Sequence, residues 1–408
     1  MADTVTPAGT GATGHLLPPR VFYDPELYER EQDELFGSVW TFAGLTTDLA
    51  KPGSYRSVQA GRHPLVVLRD HDGNLRAHHN VCRHRGTAVL PGDSGRVGKV
   101  IRCPYHHWTY GLDGCLLGVS QRNEVDPKLD RSKLGLHPAS VAVWRGVVFV
   151  HPDPDPQPLT DWLGELPGLI APVDPGDLVQ LGVQEYDVKA NWKVFIENSL
   201  DNYHLGYVHA ENLKSYDHKR QEGHDCGRHW AFHEPPLEPG KMPPEEFGLR
   251  PILDEPRWFG SGYGYVFPRL FILSGATYWT TAEVNPVGPE RTKLVFRVMV
   301  APGQGLGALG NAAHGAINRL LGRVRTTAQS VRSSLRAGEL DGDALKAAFR
   351  NGRKYDLLEE DMFCCEAVQR GVRSPRFEVG PLAYRYEKAI PAFHRNYLDY
   401  ISLGEKDV

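Results

Sequence analysis

The sequence predicts an α+β chain in which a small antiparallel β domain precedes a larger domain, built on an antiparallel sheet packed by helices. Three observations predict it. A chain of 408 residues is too long for one compact core and carries ample apolar content for two. From Trp40 to about Val150 the pattern is one of short strand-like runs punctuated by Gly, Pro and Asp. Beyond the Pro-punctuated segment DPDPQP, residues 153 to 158, longer strand-like runs and helical runs share the remaining length. These patterns place the first domain at 38–155, the second in 17–37 together with 156–408, and a flexible small-residue tail at 1–16.

Taken in order, the first element is a helix opened by Asp24 as N-cap with Pro25 at its first position, carrying Leu27, Leu35 and Phe36 inward before Gly37 ends it. The runs LVVLRD, VGKVIRC and VAVWRGVVFVH supply strands of the first domain. After the boundary, DWLGELPGLI reads as a short helix, LVQLGVQEYDVKA as a strand and WKVFIENSLDNYHLGYVH as a helix. Residues 211 to 262 are rich in His, Pro, Gly and aromatics without a sustained period, the composition of a stretch that covers a site. Three strands follow, YGYVFPRLFIL, TYWTTAEVNP and TKLVFRVMVAP; residues 311 to 336 and 343 to 370 read as helices, and a last helix begins near Pro391. Gly305, Gly307 and Gly310 form a G-x-G-x-x-G, but no following strand ends in an acidic residue, so the run reads as a flexible loop and not a nucleotide fingerprint. Arg319, Arg323, Arg325, Arg332 and Arg336 beyond it read as a solvated helix face.

The totals exclude several classes of function. A formal net charge of -4 indicates no general attraction to nucleic acid or anionic membrane. Six Cys, scattered outside one cluster, do not form the framework of a secreted disulfide protein. No apolar run is long enough to span a membrane, and the N-terminus lacks a basic and an apolar segment, so the expected location is the cytoplasm.

Between His78 and Gly114 lie two tight pairs of metal-ligand types, Cys82 with His84 and Cys103 with His106. Two thiolates and two imidazoles suit tetrahedral zinc, and also a two-iron, two-sulfide cluster in which two His replace two Cys on one iron. Each pair mixes one Cys with one His, whereas zinc fingers keep like ligands together. Mixed pairs let both Cys converge on one iron and both His on the other, so the cluster is preferred over structural zinc.

A second set of donors lies in the helix after Asn191. Asn198, Asp201 and His204 fall at i, i+3 and i+6, and His209 joins their face only if the helix loosens or ends there. Two imidazoles and one carboxylate make a facial triad that leaves positions open on iron(II) for oxygen and substrate. The carboxylate must come from elsewhere. Asp361 in LLEEDMFCCEAVQRG is preferred, with Glu359 and Glu360 as competitors.

Over nearly its whole length the chain resembles the large (alpha) subunit of Rieske non-haem iron oxygenases of the aromatic-ring-hydroxylating type, through CRH and CPYHHW, ENSLDNYHLGYVH, and EEDMFCCEAVQRGVRS. The resemblance implies a Rieske domain inserted before a helix-grip-like catalytic domain. It implies that Cys82, His84, Cys103 and His106 hold a 2Fe-2S cluster and that His204, His209 and Asp361 hold a mononuclear non-haem iron(II). It further implies that Asp201 links His204 to His106 of a neighbouring subunit, while Asn198 is a polar residue beside the iron. Electrons originating in NAD(P)H would come from a separate ferredoxin and/or flavin reductase, because no flavin or nicotinamide domain can be placed in the chain. The usual assembly is a homotrimer, with or without a small beta subunit. His107 departs from the family, which often has Gly after the second ligand His.

The expected substrate is a small aromatic or N-heterocyclic molecule, hydroxylated by a mono- or dioxygenase; N-oxygenation of an aromatic amine or oxidative demethylation would use the same iron chemistry. The expected lining, drawn from the covering stretch and the late strands, is Phe195, Tyr216, His224, His229, Trp230, Phe232, Tyr263, Phe271 and Trp279. His224, His229 and His233 could form a third metal set, although strand alternation favours satisfied or exposed histidines. Two other readings compete: a Rieske electron carrier without a second iron, and a zinc-bound structural protein.

Overall fold

A computed structural model describes residues 14–124, 128–210, 212–243, 250–302 and 357–404. The glycine motif at 305–310, the arginine-bearing helix at 311–336 and the part of the 343–370 helix before Leu357 lie outside the described residues.

Asp24 caps helix α1 (Pro25–Arg30) as expected, its Oδ1 accepting the Glu26 N–H at 2.7 Å. The helix then loosens through Glu31–Leu35, where a wider turn aims Glu31 inward. The fully buried carboxylate of Glu31 accepts from Lys193 Nζ at 2.5 Å, Trp192 Nε1 at 2.7 Å and Tyr397 Oη at 2.9 Å. A buried carboxylate needs this many partners to offset its desolvation. The segment before the first sheet is thereby fastened to helices that come much later in the chain. The tail expected through residue 16 ends earlier, because Leu16 N–H donates to His394 Nδ1 at 3.2 Å and His15 Nδ1 lies 3.0 Å from Leu17 O.

Among the described residues of the first domain are ten strands: β1 (Thr41–Leu45), β2 (Ser54–Ala60), β3 (His63–Arg69), β4 (Leu75–His79), β5 (Ser94–Arg96), β6 (Val100–Arg102), β7 (Thr109–Gly111), β8 (Leu116–Gly118), β9 (Pro138–Trp144) and β10 (Val147–His151). Seven form an antiparallel sheet in the order β1-β10-β9-β4-β3-β2-β5, and β6-β7-β8 form a three-stranded sheet. The run VAVWRGVVFVH is a hairpin, not one strand, because Arg145 and Gly146 both take positive φ, the geometry of a tight two-residue turn.

The boundary segment leads to two short helices, α2 (Leu159–Leu163) and α3 (Leu166–Leu169), where one was expected; Gly164 at φ +54 separates them. The second domain then sets β11 (Val179–Val188), β12 (Glu222–Cys226), β13 (His229–Glu234), β14 (Ser261–Val266), β15 (Leu270–Ser274), β16 (Tyr278–Gly288) and β17 (Arg291–Val300) into one antiparallel sheet, ordered β11-β17-β16-β15-β14-β13-β12. Two expectations are corrected here. YGYVFPRLFIL is two strands, since Pro268 cannot donate to a ladder and occupies the turn between them. The 211–262 stretch is not only a cover, since β12 and β13 add to the sheet.

Alternation and register divide this sheet into two faces. Trp230, Phe232, Glu234, Tyr263, Tyr265 and Phe271 share one face, where Tyr263 Oη donates to Ser199 O at 2.9 Å and Tyr265 packs on Phe393. Among the described residues this domain also has helices α4 (Trp192–Leu200), α5 (Leu205–Val208), α6 (Leu357–Gly371) and α7 (Ala389–Leu398), with α4 covering that face. On the other face, Gly264 lies against Ile170 and Leu166, and His229 against Trp162.

Candidate metal centres and active site

The two Cys/His pairs sit on loops at one end of the first domain, each in the turn next to a short strand. Cys82 and Cys103 are buried, whereas His84 is exposed and His106 half-buried. His84 Nδ1 lies 3.1 Å from His106 Nδ1, and the His84 ring stacks on Trp108 at 4.9 Å. Cys82 Sγ lies 3.3 Å from Tyr110 Oη, which also accepts the Arg83 N–H at 3.1 Å. Two buried sulfurs on the inner side and two converging Nδ1 atoms on the outer side fit the donor set of a 2Fe-2S cluster with two Cys and two His. His107 has φ +55, in the left-handed region that glycine favours, which accounts for Gly being common at that position in the family it resembles.

The helix expected over 192–209 is interrupted. Helix α4 ends at Leu200, Asp201 turns to ψ 111 with its Oδ1 accepting the Tyr203 N–H at 2.5 Å, and α5 follows as a single turn. That break is what lets His209 join His204. His204 Nε2 lies 3.1 Å from His209 Nε2 and 3.4 Å from Asp361 Oδ1, and His209 Nε2 lies 3.0 Å from the same oxygen. Among the described residues these three offer ligand atoms that all lie within 4.8 Å of one another.

The opposite nitrogen of each ring is tied back by a carboxylate. His204 Nδ1 meets Asp201 Oδ2 at 3.1 Å, and His209 Nδ1 meets Glu360 Oε2 at 2.7 Å. A proton held on each Nδ1 leaves each Nε2 lone pair facing the centre, as second-shell carboxylates do for metal-bound histidines. Asn198 Nδ2 donates to Asp361 Oδ1 at 2.8 Å, and Asn212 Nδ2 donates to Glu360 Oε2 at 2.9 Å. Burial works against charge on His204, yet Asp201 and Asp361 prevail and lift it to about 10. His209 is lifted to about 9 in the same way, by Asp361 and Glu360. Against its own burial, Asp361 is held well below the usual carboxylate range by the two imidazoles. The site therefore calls for positive charge at its centre, which a divalent cation would supply.

The sequence offered Glu360 as a competing ligand; the structure places it behind His209, reaching the other ring nitrogen. Glu360→Gln is expected to weaken iron binding by about 10- to 100-fold, since second-shell partners of ligating histidines carry that much. Competition with a ferrous chelator, with cluster absorbance as the internal control, measures it.

The expected pocket residues divide between the two faces of the sheet. Phe232 and Tyr263 stack at 5.0 Å, and Phe271 meets Tyr263 at 5.5 Å; with Trp230 these lie on the face that α4 covers. Phe195 is buried on α4 itself, and Tyr216 is buried with its backbone bridged to Pro236. His229, His224 and Trp279 are corrected, because alternation puts them on the opposite face. His229 Nε2 donates to Trp162 O at 2.7 Å while its Nδ1 accepts the Phe267 N–H at 3.1 Å, so both nitrogens are committed. His218 and Glu234 were not singled out in the sequence: His218 Nδ1 lies 2.6 Å from the buried Glu234 Oε1, on the face of Phe232. A lone Glu in an aromatic strand carries no spacing signal.

The model for the ring hydroxylating alpha subunit (catalytic domain) matches residues 175–403, and that for the Rieske [2Fe-2S] domain matches residues 39–129. The chain is 36% identical over 201 residues to the glycine betaine monooxygenase oxygenase subunit of Chromohalobacter salexigens, a match covering 49% of this chain and 44% of that protein. The chain thus spans less than half the length of that relative. Over 391 residues it is 27% identical to the chloroplastic choline monooxygenase of Spinacia oleracea, covering 93% of this chain and 77% of that protein. The fold is shared with a solved quaternary ammonium Rieske monooxygenase, at a TM-score of 0.70 and 23% identity, covering 94% of each chain. With a Rieske [2Fe-2S] domain ahead of a catalytic domain of the mononuclear-iron type, the chain belongs to the ring-hydroxylating alpha-subunit family.

Proposed function

We propose that this chain is the oxygenase component of a multicomponent Rieske system, using O2 and electrons drawn from NAD(P)H by a separate ferredoxin and/or flavin reductase to oxygenate a small organic substrate. The convergence of His204 Nε2, His209 Nε2 and Asp361 Oδ1 on one point carries this reading, since a pure electron carrier needs no second iron. Cys82, His84, Cys103 and His106 are the proposed cluster ligands. When bound, the iron supplies activation of O2 and the cluster supplies the electrons for it.

The chain's own residues do the rest. Asp201 and Glu360 keep the Nδ1 protons of the two imidazoles, and Asn198 fixes the carboxylate of Asp361. Phe232 and Tyr263, stacked, with Phe271 set edge-on to Tyr263, offer an apolar aromatic wall beside α4, which suits a small aromatic or N-heterocyclic substrate and its hydroxylation. A second reading is a methylated ammonium substrate, undergoing oxidative demethylation or hydroxylation. It is favoured by the buried Glu234 on the same face as the rings and by the substrates named for the choline and glycine betaine relatives.

Within the chain, His106 Nδ1 lies 3.1 Å from His84 Nδ1 and Asp201 Oδ2 lies 3.1 Å from His204 Nδ1. The proposed assembly is a homotrimer in which Asp201 of one subunit meets His106 of the next. Asp201 is part-exposed, and Tyr203 and Tyr207 beside it are exposed, as a subunit contact there requires. No described helix is long and apolar enough to cross a membrane.

Two measurements test the proposal. Metal analysis should give about three irons per chain, two from the cluster and one mononuclear, whereas about two would leave only the carrier. A substrate panel of N-heterocycles, aromatic amines and methylated ammonium compounds, run with a surrogate reductase, should give substrate-dependent O2 consumption with a matching product mass. Iron at three per chain without O2 consumption on any compound would reject the substrate classes named here.

A further inference from the structure

A second group of ligand types lies away from the proposed iron centre: His15, Glu197 and His394, with one donor atom each within 4.8 Å of one another. The hydrogen bonds around it decide what it can be. His394 Nδ1 accepts the Leu16 N–H at 3.2 Å, so its proton sits on Nε2 and is donated to Glu197 Oε1 at 2.7 Å. A metal on that Nε2 would need the proton moved to Nδ1, where it would face the Leu16 N–H. His15 differs, because both its nitrogens face acceptors: Leu17 O at 3.0 Å and Glu197 Oε2 at 3.6 Å. The geometry therefore suits a cationic His15, an anionic Glu197 and a neutral His394. This set joins three parts of the chain that are remote in sequence.

Its placement on α4 gives it a consequence. Glu197 binds His394, the next residue Asn198 holds Asp361 at 2.8 Å, and one turn on Asp201 holds His204 at 3.1 Å. Rotation of α4 about its axis would move both holds at once. We infer that His15, Glu197 and His394 form a charged latch through which the N-terminal segment fixes the rotation of α4, making them positioning residues for the mononuclear iron. The inference rests on the iron reading above.

The test uses full-length protein loaded with iron, with nitric oxide as the probe of the ferrous site. His15→Ala is expected to speed iron release to a ferrous chelator about tenfold, the lower end of the effect of a second-shell loss. It should also change the rhombicity of the ferrous–nitrosyl EPR signal while leaving the cluster EPR signal unchanged. Glu197→Gln should act in the same direction, and the double variant should be no worse than the worse single one. His394→Gln, whose amide N–H can still reach Glu197, should retain most of the wild-type signal where His394→Leu does not. His15 lies outside every described helix and strand, so its Ala variant tests the idea even if the Glu197 variant fails to fold. A folded His15→Ala protein with wild-type release rate and nitrosyl signal overturns the latch alone. Wild-type protein with no mononuclear iron overturns the iron reading, and the latch with it.

Discussion

Asp361→Ala should leave a coloured protein with about two irons per chain and no oxygenation above background. Asp361 supplies a carboxylate oxygen that faces both Nε2 atoms, at 3.0 Å from His209 and 3.4 Å from His204. Its removal leaves two imidazoles whose lone pairs converge without a compensating negative charge, and two neutral ligands hold iron(II) weakly. Asn198 would lose its acceptor as well. The cluster ligands belong to the other domain and are untouched, so the Rieske absorbance and EPR signal should persist. Metal analysis on protein reconstituted with excess ferrous iron is the deciding measurement. A variant that retains three irons and turns over would remove Asp361 from the ligand set and return Glu359 to consideration.

The two centres were unequally legible in the sequence. Cys82 with His84, and Cys103 with His106, are local pairs whose spacing survives whatever the rest of the chain does. Asp361 lies 152 residues from His209, so no period links them. Neighbouring carboxylates on a helix point about 100° apart, and which one meets the centre depends on how α6 docks against α4. That docking is set by contacts such as Cys365 with Val194 O and Gln369 with the Asn191 N–H, which spacing cannot reveal. The break at Asp201 had a local signal, the Asp-Asn pair, whose side chains compete for backbone N–H groups and favour caps over helix interiors. The expected lining mixed residues from both faces of the sheet, because composition does not say which face meets α4. Phe232 and Tyr263 fall on the metal-side face, while His229 and Trp279, equally plausible by composition, fall on the other.

Asp201→Asn separates the assembly of the iron site from its supply of electrons. The Asn side chain keeps one acceptor oxygen, which can serve His204 Nδ1 in place of Asp201 Oδ2 at 3.1 Å, while its amide nitrogen replaces the Oδ1 that accepts the Tyr203 N–H at 2.5 Å, so that turn bond is lost. Because His204 keeps an Nδ1 acceptor, iron content should be largely preserved, and the cluster should be unchanged. The negative charge is lost. With it goes the group proposed to hold His204 on one side and the free ring N–H of His106 of a neighbouring subunit on the other, since an amide oxygen is a weaker acceptor than a carboxylate. Coupled turnover should fall by at least about 100-fold, the upper end of second-shell effects, because an additional bridge is broken along with one ligand's support. Stopped-flow reoxidation of the prereduced cluster by O2, with substrate bound, reads the electron-transfer step itself. Slow reoxidation with three irons in place supports the bridge, whereas reoxidation and product yield at wild-type levels would reduce Asp201 to a residue that only orients His204.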